Sequence, residues 1–321
     1  MASKPTLSVI IPTFNMADYV GAMLETILEQ ASFDIEIIVI DDASTDNTHE
    51  ILLNIVDHRL KTFCHPRNQG PSAARNTGLR HARGEFILAL DADDVPVVEN
   101  WQVLIETLSK DDDAILAYGA ERVFQGNENA FPRTVPNDAK YALDDEIIPL
   151  IFCENFIQCG CAIIRRQACD RVGGWNEALR VGEDWDLWCR LACIGNFKYC
   201  PVLVVGYRQH HRSVMGSPLV KNVEDPGLAA VDSIFSNCLV QERCGAGIHQ
   251  LRRKALGWLT YHWATRLFRN RFYWRGLKTM TRCILTDPSR LTDLFRLPFR
   301  KLRHNAKSHF LRDPITDRCD I

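Results

Sequence analysis

The stretch GEFILALDADDVP, residues 84–96, decides how the chain reads. Phe86 to Leu90 form an unbroken apolar run of strand length, and Asp91, Asp93 and Asp94 follow at once. A strand that is apolar at every position is buried on both faces, as in the parallel sheets of α/β proteins, where helices cover each side. Ligands of such sheets lie beyond the carboxyl ends of the strands. The three acids stand at that rim.

The same arrangement repeats on the N-terminal side. LSVIIPTF (7–14), IEIIVIDD (35–42) and LKTFCH (60–65) read as strands. Between them lie a helix over 18–30, spaced through Tyr19, Met23, Ile27 and Leu28, and a capped helix in STDNTHEILLNIV (44–56). GPSAARNTGLRHAR (70–83) is a third helix, with Pro71 near its start and Gly84 beyond its end. Strands and helices alternating at this spacing predict βαβ units and an α/β fold with a mainly parallel sheet flanked by helices. Further on, the pattern predicts a helix over 98–110, a strand in AILAYGAERVF (114–124) and a polar loop over 125–146. It continues with a strand, helix and Gly-Gly turn in CGCAIIRRQACDRVGGWNE (159–177), a helix in EDWDLWCRLACIG (183–195) and a strand in FKYCPVLVVGYRQHH (197–211).

The net charge of −2 hides an asymmetry. Residues 1–240 hold 20 Lys and Arg against 34 Asp and Glu, whereas residues 241–321 hold 18 against 6. From about residue 225 the chain turns to helices rich in Arg and aromatics, so the expected division is a catalytic domain over 1–222 and a basic helical extension over 223–321. The 12 cysteines match no common zinc-ligand spacing and the N-terminus lacks a secretory signal core. No apolar run reaches the roughly 18–20 residues of a membrane span. These features predict reduced thiols and a cytoplasmic protein.

If the strands are neighbours, Asp41 and Asp42 after the second strand converge with Asp91, Asp93 and Asp94 after the fourth. Crowded carboxylates repel and raise one another's pKa, and a hard divalent cation such as Mg²⁺ or Mn²⁺ relieves this. Such an ion also stabilises a departing diphosphate. The plainer alternative is that Asp favours turns and caps after strands. IPTFNMADY (11–19) carries no Gly-rich phosphate loop, which argues against a dinucleotide-dependent oxidoreductase and a sugar nucleotidyltransferase.

Five segments in order are SVIIPTFN (8–15), VIDDASTDNT (39–48), NQGPSAARNTGL (68–79), GEFILALDADD (84–94) and GGWNEALRVGEDWDLWCRL (173–191), with YRQHHRS (207–213) after them. Together they resemble a family 2 glycosyltransferase, an inverting nucleotide-sugar enzyme of GT-A fold. The resemblance implies that Pro12, Thr13, Asp41 and Asp42 edge the nucleotide base, and that Arg75 or Arg67 lies against the nucleotide, with a structural Arg–Asp pair the alternative. It implies Asp91 near the ribose and Asp93 or Asp94 on the metal, with His210 or its neighbour His211 at the metal or diphosphate. Asp184 resembles the catalytic base, with Glu183 beside it. Trp175 and Trp185 are acceptor-side candidates for sugar stacking, with core packing the alternative. The QxxRW motif of processive members is absent. The implied activity is transfer of a hexosyl or N-acetylhexosaminyl group from a nucleotide diphosphate donor, UDP-linked by expectation, to a saccharide, lipid-linked or protein acceptor. A degenerate nucleotide-sugar-binding protein is the non-catalytic alternative.

Residues 251–312 interleave bases with aromatics, as in LGWLTYHWATRLFRNRFYWRGLKTM (256–280). This reads either as a peripheral anchor on an anionic membrane or as a helical cap with a solvated basic face. It lacks a nucleic-acid recognition motif, so no nucleic-acid partner is expected.

Overall fold

The computed structural model describes residues 4–125, 147–210, 227–269 and 271–291. The chain divides into two compact units, residues 1–252 and 253–321. In the first unit, β1 (Leu7–Thr13), β2 (Ile35–Asp41), β3 (Leu60–Cys64), β4 (Phe86–Ala89), β5 (Val95–Pro96), β6 (Ala114–Gln125), β7 (Ala162–Arg165) and β8 (Asn196–Gln209) form one sheet. Its order is β3-β2-β1-β4-β7-β6-β8-β5. The first four strands in that order are parallel, β7 runs antiparallel to both β4 and β6, and β6 and β8 are again parallel.

Burial explains the continuous apolar runs. Leu7, Val9 and Ile11 of β1 and Ile35, Ile37 and Val39 of β2 pack with Val20, Met23, Leu24 and Ile27 of α1 (Val20–Gln30) and with Leu104 and Leu108 of α4 (Trp101–Ser109). α2 (Thr48–Asn54) adds Leu52 to this layer. Alternate residues point the other way, where α3 (Pro71–His81) lies so close that a Cβ on Gly78 would fall 2.3 Å from Ile10 Cγ2. With two faces covered, period-2 alternation disappears. The helix expected over 98–110 begins as a 3₁₀ turn at Val98–Asn100 before α4. Of the expected loop 125–146, Gln125 ends β6 and the remainder lies outside the described residues.

α5 (Ile147–Ile151), α6 (Arg166–Arg171) and α7 (Glu183–Leu191) complete the layer near the site, with helix Leu228–Ser236 following. Gly173 and Gly174 both take positive φ, 84° and 70°, making the Gly-Gly turn before Trp175. In the second unit, the ends of helices Ile248–Arg269 and Tyr273–Thr286 close on Tyr261, Ala264, Met280 and Cys283. Among the described residues no helix is long and apolar enough to cross a membrane. Their cysteines are all free thiols.

Candidate active site

β1 lies between β2 and β4, so the two acid groups flank the end of β1 on one rim. The rim is tied by its own loops. Asn15, at φ 56°, receives a hydrogen bond on Oδ1 from Thr45 N (2.8 Å), and its backbone N–H donates to Ser44 Oγ (3.0 Å). Asp41 turns Oδ1 to Ser44 N (2.9 Å), while Oδ2 meets His49 Nδ1 at 3.3 Å. Asp42 points across the sheet instead. Its carboxylate accepts from Gly70 N (2.7 Å) and Gln69 N (2.9 Å) and pairs with His65 Nδ1 (2.7 Å), holding the loop that opens α3. Pro12 and Thr13 are buried at the end of β1, and Thr13 Oγ1 has no hydrogen-bond partner among the described residues.

The centre of the site is Arg75, on the second turn of α3 and 3% exposed. Nη2 donates to Asp91 Oδ1 (2.7 Å) and Nη1 to Glu183 Oε1 (2.8 Å). One guanidinium thus joins the rim after β4 to the first turn of α7, 108 residues away. The planar fork of Arg suits such two-way contact, which Lys could not reproduce. Arg67, the other candidate, is exposed.

Asp93 and Asp94 diverge. Asp93 Oδ2 lies 2.8 Å from His210 Nε2. Asp94 is buried, takes Arg208 N on Oδ1 (3.1 Å), and has its carboxyl pushed well above the ordinary range by burial and then by the charges of Asp93 and Asp91. Arg208 donates from Nε to Asp93 O (2.9 Å) and lies over the rings of Phe124 and Tyr19. The donor set at this point of the rim is therefore one carboxylate and one imidazole, both largely buried and in contact with each other. A carboxylate and an imidazole are a donor set that fits a divalent cation such as Mn²⁺ or Mg²⁺. His211 lies outside the described residues.

Asp184 sits in the first turn of α7, after Gly182 in the left-handed region at φ 77°. Its Oδ1 accepts from Trp185 N (2.7 Å) and Asn155 Nδ2 (3.1 Å). Loss of water in the crowded cleft, and next the charge of Glu183, raise its carboxyl to about 7; the Trp185 N–H and Arg75 pull the other way. The helix beneath it is fixed. Trp185 and Trp188 donate their indole N–H groups to Ile151 O (2.6 Å) and Ile157 O (2.9 Å). Asp186 pairs with Arg190 (2.7 Å) and accepts from Ser233 Oγ (2.7 Å).

Trp175 and Trp185 are each 2% exposed. The Trp175 backbone is bracketed by Asn76, which accepts from Trp175 N (2.8 Å) and donates to Trp175 O (2.8 Å). As placed, both indoles pack in the core and offer no open stacking face. One residue escaped the sequence reading. Glu121 of β6 has Oε2 buried with no partner among the described residues, and burial raises its carboxyl to about 7. Its charge is felt by Asp94 and by Tyr207. The signal was a lone acid inside the apolar strand AILAYGAERVF.

A mixed sheet with acids, an arginine and an imidazole gathered on its rim defines a GT-A glycosyltransferase fold. TarS of S. aureus, residues 1–349 in complex with UDP-GlcNAc, superposes with a TM-score of 0.63 at 19% identity, covering 87% of this chain and 79% of that one. The Pyrobaculum calidifontis mannosyltransferase PcManGT, in complex with GDP-Man and Mn²⁺, gives 0.61 at 18% identity over 98% of this chain and 82% of that one. The sequence model of glycosyl transferase family 2 matches residues 8–173, and the chain belongs to that family. A glycosyltransferase of Haemophilus influenzae is 47% identical over 94 residues, 29% of this chain and 38% of that protein. The succinoglycan biosynthesis protein ExoO of Rhizobium meliloti is 27% identical over 239 residues, 72% of this chain and 68% of that one. An Escherichia coli relative, UDP-Glc:alpha-D-GlcNAc-diphosphoundecaprenol beta-1,3-glucosyltransferase WfgD, is 30% identical over 135 residues, 42% of this chain and 53% of that one. The chain spans 38% of that Haemophilus protein's length, 36% of a Rickettsia felis glycosyltransferase and 28% of E. coli chondroitin synthase.

Proposed function

We propose that this chain is an inverting glycosyltransferase that moves a sugar from a nucleotide diphosphate, most simply a UDP-sugar, to a saccharide hydroxyl in polysaccharide or glycoconjugate synthesis. The observation that carries the reading is the Asp91–Arg75–Glu183 bridge, which sets the donor rim and the Asp184 helix in one frame. Asp184 takes the proton of the acceptor hydroxyl as its oxygen attacks the anomeric carbon, and the nucleoside diphosphate leaves from the opposite face. A carboxyl near neutrality is matched to that task at physiological pH. Thr13 and Asp41 hold the base edge, and Asp91 the ribose side. Asp93 and His210 would hold Mn²⁺ or Mg²⁺, which when bound neutralises the departing diphosphate. The UDP and UDP-GlcNAc complexes of TarS and the UDP-Glc donor of WfgD favour a uridine donor. The names of WfgD and ExoO favour a saccharide acceptor, lipid-linked in WfgD.

A donor screen tests this. Release of UDP or GDP from one nucleotide sugar is expected to fall to background on chelation and to return with Mn²⁺. Asp93→Ala is expected to need at least about tenfold more Mn²⁺. Tight nucleotide binding with no release from any donor and any saccharide acceptor would make the chain a binding protein instead.

A second reading concerns the C-terminal unit. On helix Tyr273–Thr286, Trp274, Leu277 and Leu285 are 86%, 51% and 79% exposed at helical spacing, opposite the buried Gly276, Met280 and Cys283. Arg275, Lys278 and Arg282 accompany them. An apolar stripe among cations suits the surface of an anionic bilayer. The chain is expected to co-sediment with phosphatidylglycerol-rich vesicles and not with phosphatidylcholine ones. A Trp274→Ser, Leu285→Ser variant should lose this binding with nucleotide affinity unchanged; equal binding by the variant would leave the helix as a cap.

A further inference from the structure

Asp41, His49 and Cys64 come from the end of β2, the first turn of α2 and the end of β3, and one ligand atom from each lies within 4.8 Å of the others. Asp41 is 1% exposed, and with Oδ1 held by Ser44 N its free oxygen is Oδ2. His49 Nδ1 approaches that oxygen to 3.3 Å and Cys64 Sγ to 3.9 Å. A tetrahedral Zn²⁺ with bonds of about 2.0 Å to nitrogen and oxygen and about 2.3 Å to sulfur has edges of about 3.3 Å (N–O) and about 3.5 Å (S–O). The two edges at Asp41 Oδ2 stand within about 0.4 Å of those values, and the third, from His49 Nδ1 to Cys64 Sγ, is no longer than 4.8 Å. His49 and Cys64 are exposed, so an ion can enter from solvent and keep an open fourth position. A set with one thiol, one imidazole and one carboxylate selects a borderline cation rather than Mg²⁺.

We propose that Asp41, His49 and Cys64 form a Zn²⁺ site, separate from Asp93 and His210, whose occupation blocks the nucleotide. The blocking half rests on the assignment of Asp41 to the nucleotide base. In the metal-free protein, partial loss of water around the sulfur and then the Asp41 charge hold the Cys64 thiol above its ordinary pKa, although the residue as a whole is exposed. Binding therefore breaks the S–H bond: the proton passes to solvent, the sulfur lone pair joins the metal, and one proton is released per ion. No electrons are transferred.

The test uses the full chain without nucleotide, titrated with Co²⁺ as a coloured substitute for Zn²⁺. A thiolate-to-cobalt charge-transfer band and tetrahedral visible bands are expected, and Zn²⁺ should bleach them. Cys64→Ser should abolish the charge-transfer band, His49→Ala should weaken Co²⁺ binding at least tenfold, and Asp93→Ala should leave the band intact. Absence of the band, or its survival in Cys64→Ser, overturns the site. UDP or GDP, whichever the wild type binds, should bind at least tenfold more weakly in Zn²⁺-loaded wild type, and equally well with or without Zn²⁺ in Cys64→Ser. Simultaneous binding of nucleotide and Zn²⁺ overturns the blocking role alone, and the spectra judge the site whether or not the chain transfers sugar.

Discussion

Asp184→Asn is expected to lower sugar transfer by about 10²–10⁴-fold while leaving nucleotide affinity close to that of the wild type. The amide oxygen can still accept from Trp185 N and Asn155 Nδ2, so the first turn of α7 keeps its shape and only the proton acceptor is lost. In the wild type, kcat/KM should rise with pH through about 7, because the base works only when ionised. Stability should move the other way. The native carboxyl titrates near 7, above its ordinary 3.8, so between those values the native state binds more protons than the unfolded chain. This carboxyl's own contribution to stability is then fullest below about 4 and is lost as pH rises through 7. The Asn variant escapes that loss, and at pH 8 it should be more stable by on the order of 1 kcal/mol, an advantage that fades towards pH 4. Thermal melts at the two pH values, read beside a pH–rate profile, check both halves. A wild-type profile flat down to pH 5 would remove Asp184 from the role of base.

Arg75→Met should be the most destabilising single substitution at the rim. It leaves Glu183, 14% exposed, without its cation and frees Asp91 to drift. Removing one partner of a buried ion pair costs about 3–5 kcal/mol, and the partial exposure of Asp91 puts this case at the lower end. The functional signature separates it from simple unfolding. Arg75 lowers the Asp184 carboxyl and Glu183 raises it, so loss of the guanidinium should move the acid limb of the rate profile to higher pH. Arg75→Lys should restore part of the stability, since one ammonium cannot meet both carboxylates as the fork does. A variant that melts early but keeps the wild-type limb would reduce Arg75 to a scaffold role.

The sheet was legible because its evidence is local. Runs such as IEIIVID and EFILA admit little other than buried strands, and acids at their ends mark the rim whatever the strand order. The bridge made by Arg75 was legible only in part: an Arg–Asp pair was one of the two readings of this arginine, and the contact with Glu183 was not foreseen. Sequence reading could place Arg75 or Arg67 near the nucleotide, yet only the packing of α3 buries Arg75 and brings Glu183 to it. Asp41 and Asp42 read as an equivalent pair, but adjacent residues at a strand end point in opposite directions, and the partners of Asp42 at Gln69 and Gly70 lie 27 and 28 residues on. For the tryptophans the sequence left sugar stacking and core packing both open, and their burial favours packing. An aromatic beside a catalytic motif reads as a sugar platform, and no local signal reveals that Ile151 O accepts from the Trp185 indole.

α3 also bears on how this family could be recombined. Asp42 grips the loop before it, Arg75 reaches to both sides, and Asn76 brackets the Trp175 backbone. Eleven residues thus act as a shared keel for the halves of the site. A hybrid with a crossover anywhere between residues 82 and 172 would inherit the keel from one parent and the strand-to-helix turn it steers from the other. Exchange of acceptor preference between relatives is therefore best attempted in pieces that carry α3 and the 173–191 segment together, so that the seam falls outside the frame that aligns sugar and base.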